Sequence, residues 1–329
     1  MTSLKVLFIG GTGIISSACA DRAVSAGIDL TILNRGTTSI RTVPADAELV
    51  RADIRDADSV RSALGDREFD VVVNFVAYTA DQVQADVDMF TGRTGQYVFI
   101  SSASAYQTPP ARLPIVESTP LRNPHWEYSR NKIACEDLLV AAYRSAGFPA
   151  TIVRPSHTYD RTAIPLLGGW TDIDRMRRGR PVVVHGDGTS LWALTHHADF
   201  AKAFVGLLGQ PKAVGDSFHI TSDEVLTWNE IYTALATAAG AKPQLTHVSS
   251  DSIVAAEANF EGALLGDKAH SVIFDNSKVK ALVPDYVATI PFAAGAREII
   301  EWYDAHPERQ TVNDSLNATF DKLIAAATQ

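Results

Sequence analysis

Short, nearly uninterrupted apolar runs punctuate the first half of the chain. They are Lys5-Val6-Leu7-Phe8-Ile9, Leu30-Thr31-Ile32-Leu33, Leu49-Val50-Arg51-Ala52-Asp53-Ile54, Asp70-Val71-Val72-Val73-Asn74-Phe75-Val76-Ala77 and Tyr97-Val98-Phe99-Ile100-Ser101-Ser102. Runs without polar alternation predict strands covered on both faces, as in a parallel sheet between two helix layers. Ile14 to Ala26, Asp56 to Leu64 and Asp81 to Phe90 predict intervening helices, the first closed by Gly27. The expected fold class is α/β, with a doubly wound parallel sheet and a smaller C-terminal lobe.

Residues 1–158 read as the sheet domain, and 190–222 as returning to its sheet through Trp192 to Leu208 and Phe218 to Thr221. Segments 159–189 and 223–329 are irregular and loop-rich, as a substrate-binding lobe would be. With 329 residues and 46% hydrophobic content, the chain can bury a full α/β core. A net charge of −9 argues against a nucleic-acid or anionic-membrane partner, which would call for clustered Lys and Arg. The two cysteines, Cys19 and Cys135, fall in predicted helices at no metal or redox spacing. With no secretory pattern and no membrane-spanning run, a cytoplasmic protein is expected.

The first strand runs straight into Gly10-Gly11-Thr12-Gly13-Ile14-Ile15-Ser16. Gly10 suits the tight turn, and Gly13 lets backbone approach a pyrophosphate at the helix N-terminus, so Gly10, Thr12, Gly13, Ile14 and Ile15 form a candidate dinucleotide grip of the Rossmann type. Ser16 replaces the usual third glycine and is small enough for close helix packing. At the end of the second strand, Asn34 and Arg35 stand where a carboxylate would hold the ribose of NAD. A neutral residue followed by a cation favours NADP, with NAD still possible and a surface arginine as the plainer alternative. Asp53 and Ile54 suit the two sides of an adenine ring.

Tyr128 and Lys132, four residues apart, share one face of a helix. A phenol with its ordinary pKa near about 10 becomes useful at neutral pH only if nearby cations stabilise the phenolate. Lys132 and a cationic nicotinamide would both lower it, and Ser102 at a strand end could hydrogen-bond the same substrate oxygen. Such a pair alone more often marks a solvated helix face. The order of nucleotide turn, strand-end serine and Tyr/Lys pair is what lifts it above that reading.

These stretches, with Val98 to Tyr106, Val153 to Tyr159, Val184 to Gly188 and Phe218 to Thr221, resemble the extended short-chain dehydrogenase/reductase superfamily, in particular its NAD(P)-dependent epimerase/dehydratase branch. The resemblance covers nearly all of the chain. It implies Ser102, Tyr128 and Lys132 as the catalytic set, Lys132 also holding the nicotinamide ribose. It further implies Val76 and Ala77 along the cofactor groove, Pro155, Ser156 and His157 beside the nicotinamide, and a homodimer through helices, one starting near Tyr128. Phe274 to Val279 resembles the family's late capping segment.

Relatives acting on nucleotide-diphosphate sugars usually carry an arginine seven residues before the position of Asp199; here it is Trp192. With that phosphate fork missing, a simpler sugar or polyol-like alcohol is expected, with Ser104 and Trp192 as candidate substrate contacts, although Trp192 could equally be core. Ala103 and Ser104 supply no acid beside Ser102, which disfavours dehydration. Epimerisation and net oxidation or reduction stay open. The competing reading is a catalytically silent NADP-sensing or RNA-associated binding protein on the same fold.

Other features are set aside. His196 and His197, read as neighbours on a strand, would face opposite sides, so no metal site is expected. Gly215-Asp216-Ser217 reads as a turn. Asp172 to Arg180 reads as a solvated helix, with Arg175, Arg177 or Arg178 as possible anion contacts. A helix is expected from Ser315 to Ala327, with no readable role.

Overall fold

The computed structural model describes residues 3–37 and 40–328. Seven parallel strands form the main sheet: β1 (Lys5–Ile9), β2 (Asp29–Asn34), β3 (Glu48–Arg51), β4 (Phe69–Asn74), β5 (Thr94–Ile100), β6 (Ala150–Pro155) and β11 (Ser217–Ile220). Their order is β3-β2-β1-β4-β5-β6-β11. This is the doubly wound arrangement, and its direction reverses between β1 and β4, where a crevice opens at the strands' carboxyl ends.

One face is covered by α1 (Ile14–Ser25) and α6 (His197–Leu207), the other by α2 (Ala57–Leu64), α3 (Ala80–Phe90) and α4 (Glu127–Ala146). The inward side of α1 is built from Ser16, Ser17, Ala18, Cys19, Ala20 and Ala23, all buried. Such small side chains let its N-terminus sit close to the end of β1. Gly147, in the left-handed conformation at φ +67°, stops the 20-residue α4.

The second lobe gathers α5 (Trp170–Arg177), α7 (Trp228–Ala238) and α11 (Phe292–Ala305) around an aromatic core. Three two-stranded sheets knit it together. β7 (His157–Tyr159) pairs with β10 (Leu194–His196), β9 (Leu191–Trp192) with β12 (Leu226–Thr227), and β8 (Val182–His185) with β13 (Leu245–Val248). α8 (Ser250–Ala256), the single turn α9 (Glu261–Ala263), α10 (Ser277–Leu282) and α12 (Asp314–Ala327) complete the chain.

Several boundaries differ from expectation for local reasons. β4 ends at Asn74, not Ala77, because the Asn74 side-chain oxygen accepts from the Val76 N–H (2.7 Å) and turns the chain out of the sheet. β3 ends at Arg51, so Asp53 and Ile54 lie on the following turn. Within the expected return segment β11 joins the main sheet and α6 packs on its face, while β9 and β10 pair elsewhere. The Ser156 hydroxyl donates to the Ala193 carbonyl (3.1 Å) and meets the Thr195 hydroxyl (3.2 Å), binding β10 beside β7 instead.

The helix expected to be solvated is half core. Asp172 and Arg175 on α5 are 0% and 1% exposed. Arg175 donates to the Pro181 carbonyl (2.7 Å) and the Asn317 side chain (2.6 Å) and pairs with Asp321 (3.0 Å). The tail helix α12 therefore caps this lobe, and Arg175 is unavailable to a substrate. Arg177 pairs with Asp304 (2.7 Å) and Arg178 with Asp174 (2.9 Å).

Asp86 is buried in the main core, where its carboxylate accepts from Asn74 and the Tyr97 hydroxyl without a cation beside it. Burial pushes its pKa up to about 6. The folded state thus binds the extra proton between about pH 6 and the ordinary aspartate range near 3.8, so this group favours folding more as pH falls through that window and carries its full cost above it. Asp86→Asn should stabilise the protein by about 1–2 kcal/mol at pH 8, and the gain should vanish near pH 4 in urea denaturation.

Candidate active site

The glycine turn is shaped by Gly10 and Gly11, at φ +97° and +128°. A Cβ on Gly11 would stand 2.6 Å from Cγ2 of Ile32. Gly11, not singled out in the sequence, is therefore the position where β1 and β2 demand an absent side chain. The Gly13 N–H donates to the Ser16 hydroxyl (2.8 Å), so Ser16 braces the turn as well as packing beneath it.

Three cavities run in series from this turn. The first, about 260 Å³, is lined by Gly10, Thr12, Asn34, Arg35, Asp53, Ile54, Val76 and neighbours. The second, about 560 Å³, follows Gly10 to Ser16 past Val76 and Tyr78 to Ser102, Tyr128, Lys132, Pro155 and Ser156. The third, about 270 Å³, opens beyond Ser102 and Tyr128 among Ser104, Trp126, His157, Trp192, Asp267, Lys268 and Phe274. Shared walls make one continuous trough. Its first two parts suit an adenosine half and a pyrophosphate on a helix N-terminus, and its last part is a separate chamber.

At the junction, Lys132 is 2% exposed, and its ammonium donates to the carbonyls of Ala77 and Ile100, each at 2.7 Å. It also lies 4.7 Å from the ring centres of Tyr78 and Phe99 and 5.8 Å from that of Tyr128. Ser102 and Ser104 share a hydrogen bond (2.9 Å), and Ser104 meets Ser129 (2.7 Å). Ser101 turns the other way and donates to buried Glu136. Both serines line the trough, but their hydroxyls diverge, that of Ser101 toward Glu136 and that of Ser102 toward Ser104.

A family model described as the NAD dependent epimerase/dehydratase family matches residues 6–221. The chain belongs to this family. It is 28% identical over 256 residues to the chloroplast stem-loop binding protein of 41 kDa b of Arabidopsis thaliana, covering 74% of this chain and 65% of that one. It therefore spans just under two thirds of that relative's length. To the 2'-dehydrokanamycin reductase of Streptomyces kanamyceticus it is 26% identical over 289 residues, 86% of this chain and 80% of the other. A solved epimerase from Methanothermobacter thermautotrophicus has the same fold, with a TM-score of 0.76 at 16% identity over 94% of both chains.

NAD(P) binding is typical of the epimerase/dehydratase family, and the trough fits such a dinucleotide on the evidence of the Gly11 cradle and the continuous lining. Ala77 and His157, both implied along the cofactor path, border it in different ways. Ala77 is 2% exposed and reaches the site only through its carbonyl on Lys132. His157 lines the chamber, where Trp192 Nε1 donates to its Nδ1 (3.4 Å) and burial holds its pKa down at about 3. Trp192 is both things considered for it, a chamber wall and a core residue packed on Trp228.

The electrostatics of Tyr128 depart from expectation. Burial pushes its pKa up to about 12, and the neighbouring Ser102 hydroxyl offsets only part of that. Lys132 does not lower it in the protein alone, because the ammonium is turned to two carbonyls and is itself pushed down to about 8 by burial. The expectation of no acid near Ser102 holds along the chain but fails in space, since Asp267 lines the same chamber. The pattern carries no periodic or motif signal there.

His196 and His197 also need correction. β10 ends at His196 and α6 begins at His197, so the two do not sit on one strand, and their rings touch edge-on at 4.7 Å. Both are engaged: His196 with Glu298 (3.0 Å) and the Ala198 N–H (3.3 Å), His197 with the Ile14 carbonyl (3.1 Å).

Gly11→Ala should destabilise the fold by about 2 kcal/mol through its left-handed φ and the clash with Ile32. Dinucleotide affinity should fall at least about 100-fold in a fluorescence titration, because the turn must shift away from the helix N-terminus.

Proposed function

We propose that this protein is an NAD(P)-dependent oxidoreductase that moves a hydride at a hydroxyl-bearing carbon of a sugar or sugar-like alcohol lacking a nucleoside diphosphate. The observation that carries this reading is the position of Ser102 and Tyr128, which line both the dinucleotide trough and the chamber beyond it. A carbinol there meets a proton carrier on one side and the redox cofactor's path on the other.

The bound nicotinamide would supply the hydride acceptor or donor. Ser102 holds the reacting oxygen by hydrogen bonding, its own hydroxyl oriented by Ser104 and Ser129. Tyr128 Oη carries the proton to or from that oxygen. Because burial keeps the phenol protonated, its resting state is the one that donates a proton, as carbonyl reduction requires. Lys132 ties the segment just past β4 and the end of β5 to the helix that carries the phenol.

Net oxidation or reduction is favoured over epimerisation. Returning a hydride to the opposite face requires the ketone to turn over while tethered, and among the described residues no arginine lines the chamber to clamp a diphosphate tether. NADP is favoured over NAD: Arg35 is 63% exposed along its side chain, lines the adenosine end, and lies 3.9 Å from Asp53, a loose pair that a 2'-phosphate could replace. A cytoplasmic homodimer completes the proposal.

A non-catalytic binding role is favoured by one observation, the similarity to a stem-loop binding protein. The acidic net charge of −9 and the presence of Ser102, Tyr128 and Lys132 together weigh against it.

In a panel of sugars and polyols followed at the reduced-nicotinamide band, Tyr128→Phe should lower kcat at least about 100-fold, and Ser102→Ala about 10- to 100-fold. Dinucleotide affinity should stay within about threefold for both. Wild-type turnover of nothing in the panel, with dinucleotide bound, would favour the binding role. Arg35→Ala should cut the NADP-over-NAD preference about tenfold, in line with about 1–2 kcal/mol for one exposed phosphate contact. An unchanged ratio would refute the phosphate role.

A further inference from the structure

The far wall of the chamber is a π-helical turn, Leu264–Lys268, that no motif announced. Its backbone is pinned from three directions. The Gly266 carbonyl accepts from Asn123 Nδ2 (2.7 Å) and the Thr108 hydroxyl (3.4 Å). The Lys268 carbonyl meets His185 Nε2 (3.0 Å) and accepts from the Ser190 hydroxyl (3.2 Å). Gly262 and Gly266 let Trp126 lie directly against it, since a Cβ on Gly262 would stand 2.3 Å from the indole. π-turns are rare and concentrate at functional sites.

This rigid turn presents two charged side chains to the chamber, Asp267 and Lys268. Among the described residues neither has a hydrogen-bond partner on its side chain; each feels only burial and the other's charge. The Lys268 ammonium lies 5.9 Å from the Trp192 ring centre. Holding one carboxylate and one ammonium half-buried and unbonded is costly unless a ligand completes them.

We propose that Asp267 and Lys268 are the specificity determinants of the chamber, and that they select a neutral sugar bearing free hydroxyls next to the reacting carbinol. The inference rests on the oxidoreductase reading for the carbinol, but the recognition itself is independent of turnover. Two neighbouring hydroxyls donate to the Asp267 carboxylate, and a further oxygen accepts from Lys268. Trp126 and Trp192 offer apolar surface for the ring's C–H face. The two charges cancel and His157 is neutral at physiological pH, so the chamber has no net charge to offer a diphosphate, a uronate or an amino sugar. At about 270 Å³ it accommodates a single ring.

The test compares wild type with Asp267→Asn and Lys268→Met, both loaded with dinucleotide. Neutral monosaccharides, uronic acids, amino sugars and UDP-sugars are measured by saturation-transfer NMR for binding and by nicotinamide absorbance for turnover. Asp267→Asn is isosteric and removes a half-buried charge, so circular dichroism should be unchanged. Neutral sugars should bind wild type at least tenfold more tightly than any charged class, and each variant should weaken that binding at least tenfold. In turnover, each variant should raise KM at least tenfold more than it lowers kcat. Binding without turnover in wild type, lost in the variants, would refute the oxidoreductase reading and support the recognition. Equal binding by wild type and variants, no sugar binding, or tighter binding of a charged class would overturn the inference, even with Tyr128-dependent turnover intact.

Discussion

One buried ammonium holds the site together. Lys132 reaches from α4 to the carbonyls of Ala77 and Ile100, which close the chain just past β4 and at the end of β5. β4 borders the crevice where the sheet's winding reverses and β5 lies next to it, so the bond fixes the wall of the trough beneath Tyr128. Among the described residues no carboxylate pairs with this ammonium. It is held by carbonyl dipoles and by the faces of Tyr78 and Phe99, and the poor solvation shows in a pKa pushed down to about 8. Such a bond is weak as a source of stability and strong as a constraint on geometry, because any other position would leave the charge worse solvated.

One turn further along α4, a second buried charge does complementary work. Glu136 receives Arg154 Nε at 2.9 Å and a further bond from the same guanidinium, together with the Ser101 hydroxyl. Arg154 continues to the Tyr106 hydroxyl (3.1 Å), which meets His219 Nδ1 (3.1 Å) on β11. α4 is thereby locked to β5, β6 and β11 through fully satisfied groups. The network also decides which hydroxyl is free: both serines line the trough, but that of Ser101 is committed to Glu136 while that of Ser102 stays on the trough side.

What could be read in the sequence follows from how local each determinant is. The strand runs and the glycine turn are contiguous, so the sheet and the cofactor groove were legible to within a few residues. Tyr128 and Lys132 were legible because a helix brings them to one face. Asn74 stopping β4 early was not, since it depends on a side chain folding back on its own turn. Asp172 and Arg175 were misread because their charge suggested solvent, while Asp172 is turned to the Gly168 N–H ahead of its own helix and Arg175 finds partners about 140 residues away on α12. Asp267 and Lys268 sit in a turn whose explanation is what packs behind it: Asn123 and Trp126 from one segment and His185 from another.

The same logic explains why the phenol's acidity could not be taken from the Tyr/Lys spacing. Spacing places Lys132 near Tyr128 but says nothing of where the ammonium's hydrogens point. Once they are directed at Ala77 and Ile100, the field at the Tyr128 oxygen is set mainly by burial, and Asp267 adds to it with the same sign. Both terms favour the protonated phenol. The protein by itself therefore stores a proton at the junction of trough and chamber, and only a positive charge brought into the trough can change that balance. On the proposed oxidoreductase reading, the proton's release would be contingent on occupancy, and the reactive state would be confined to the complex in which it is useful.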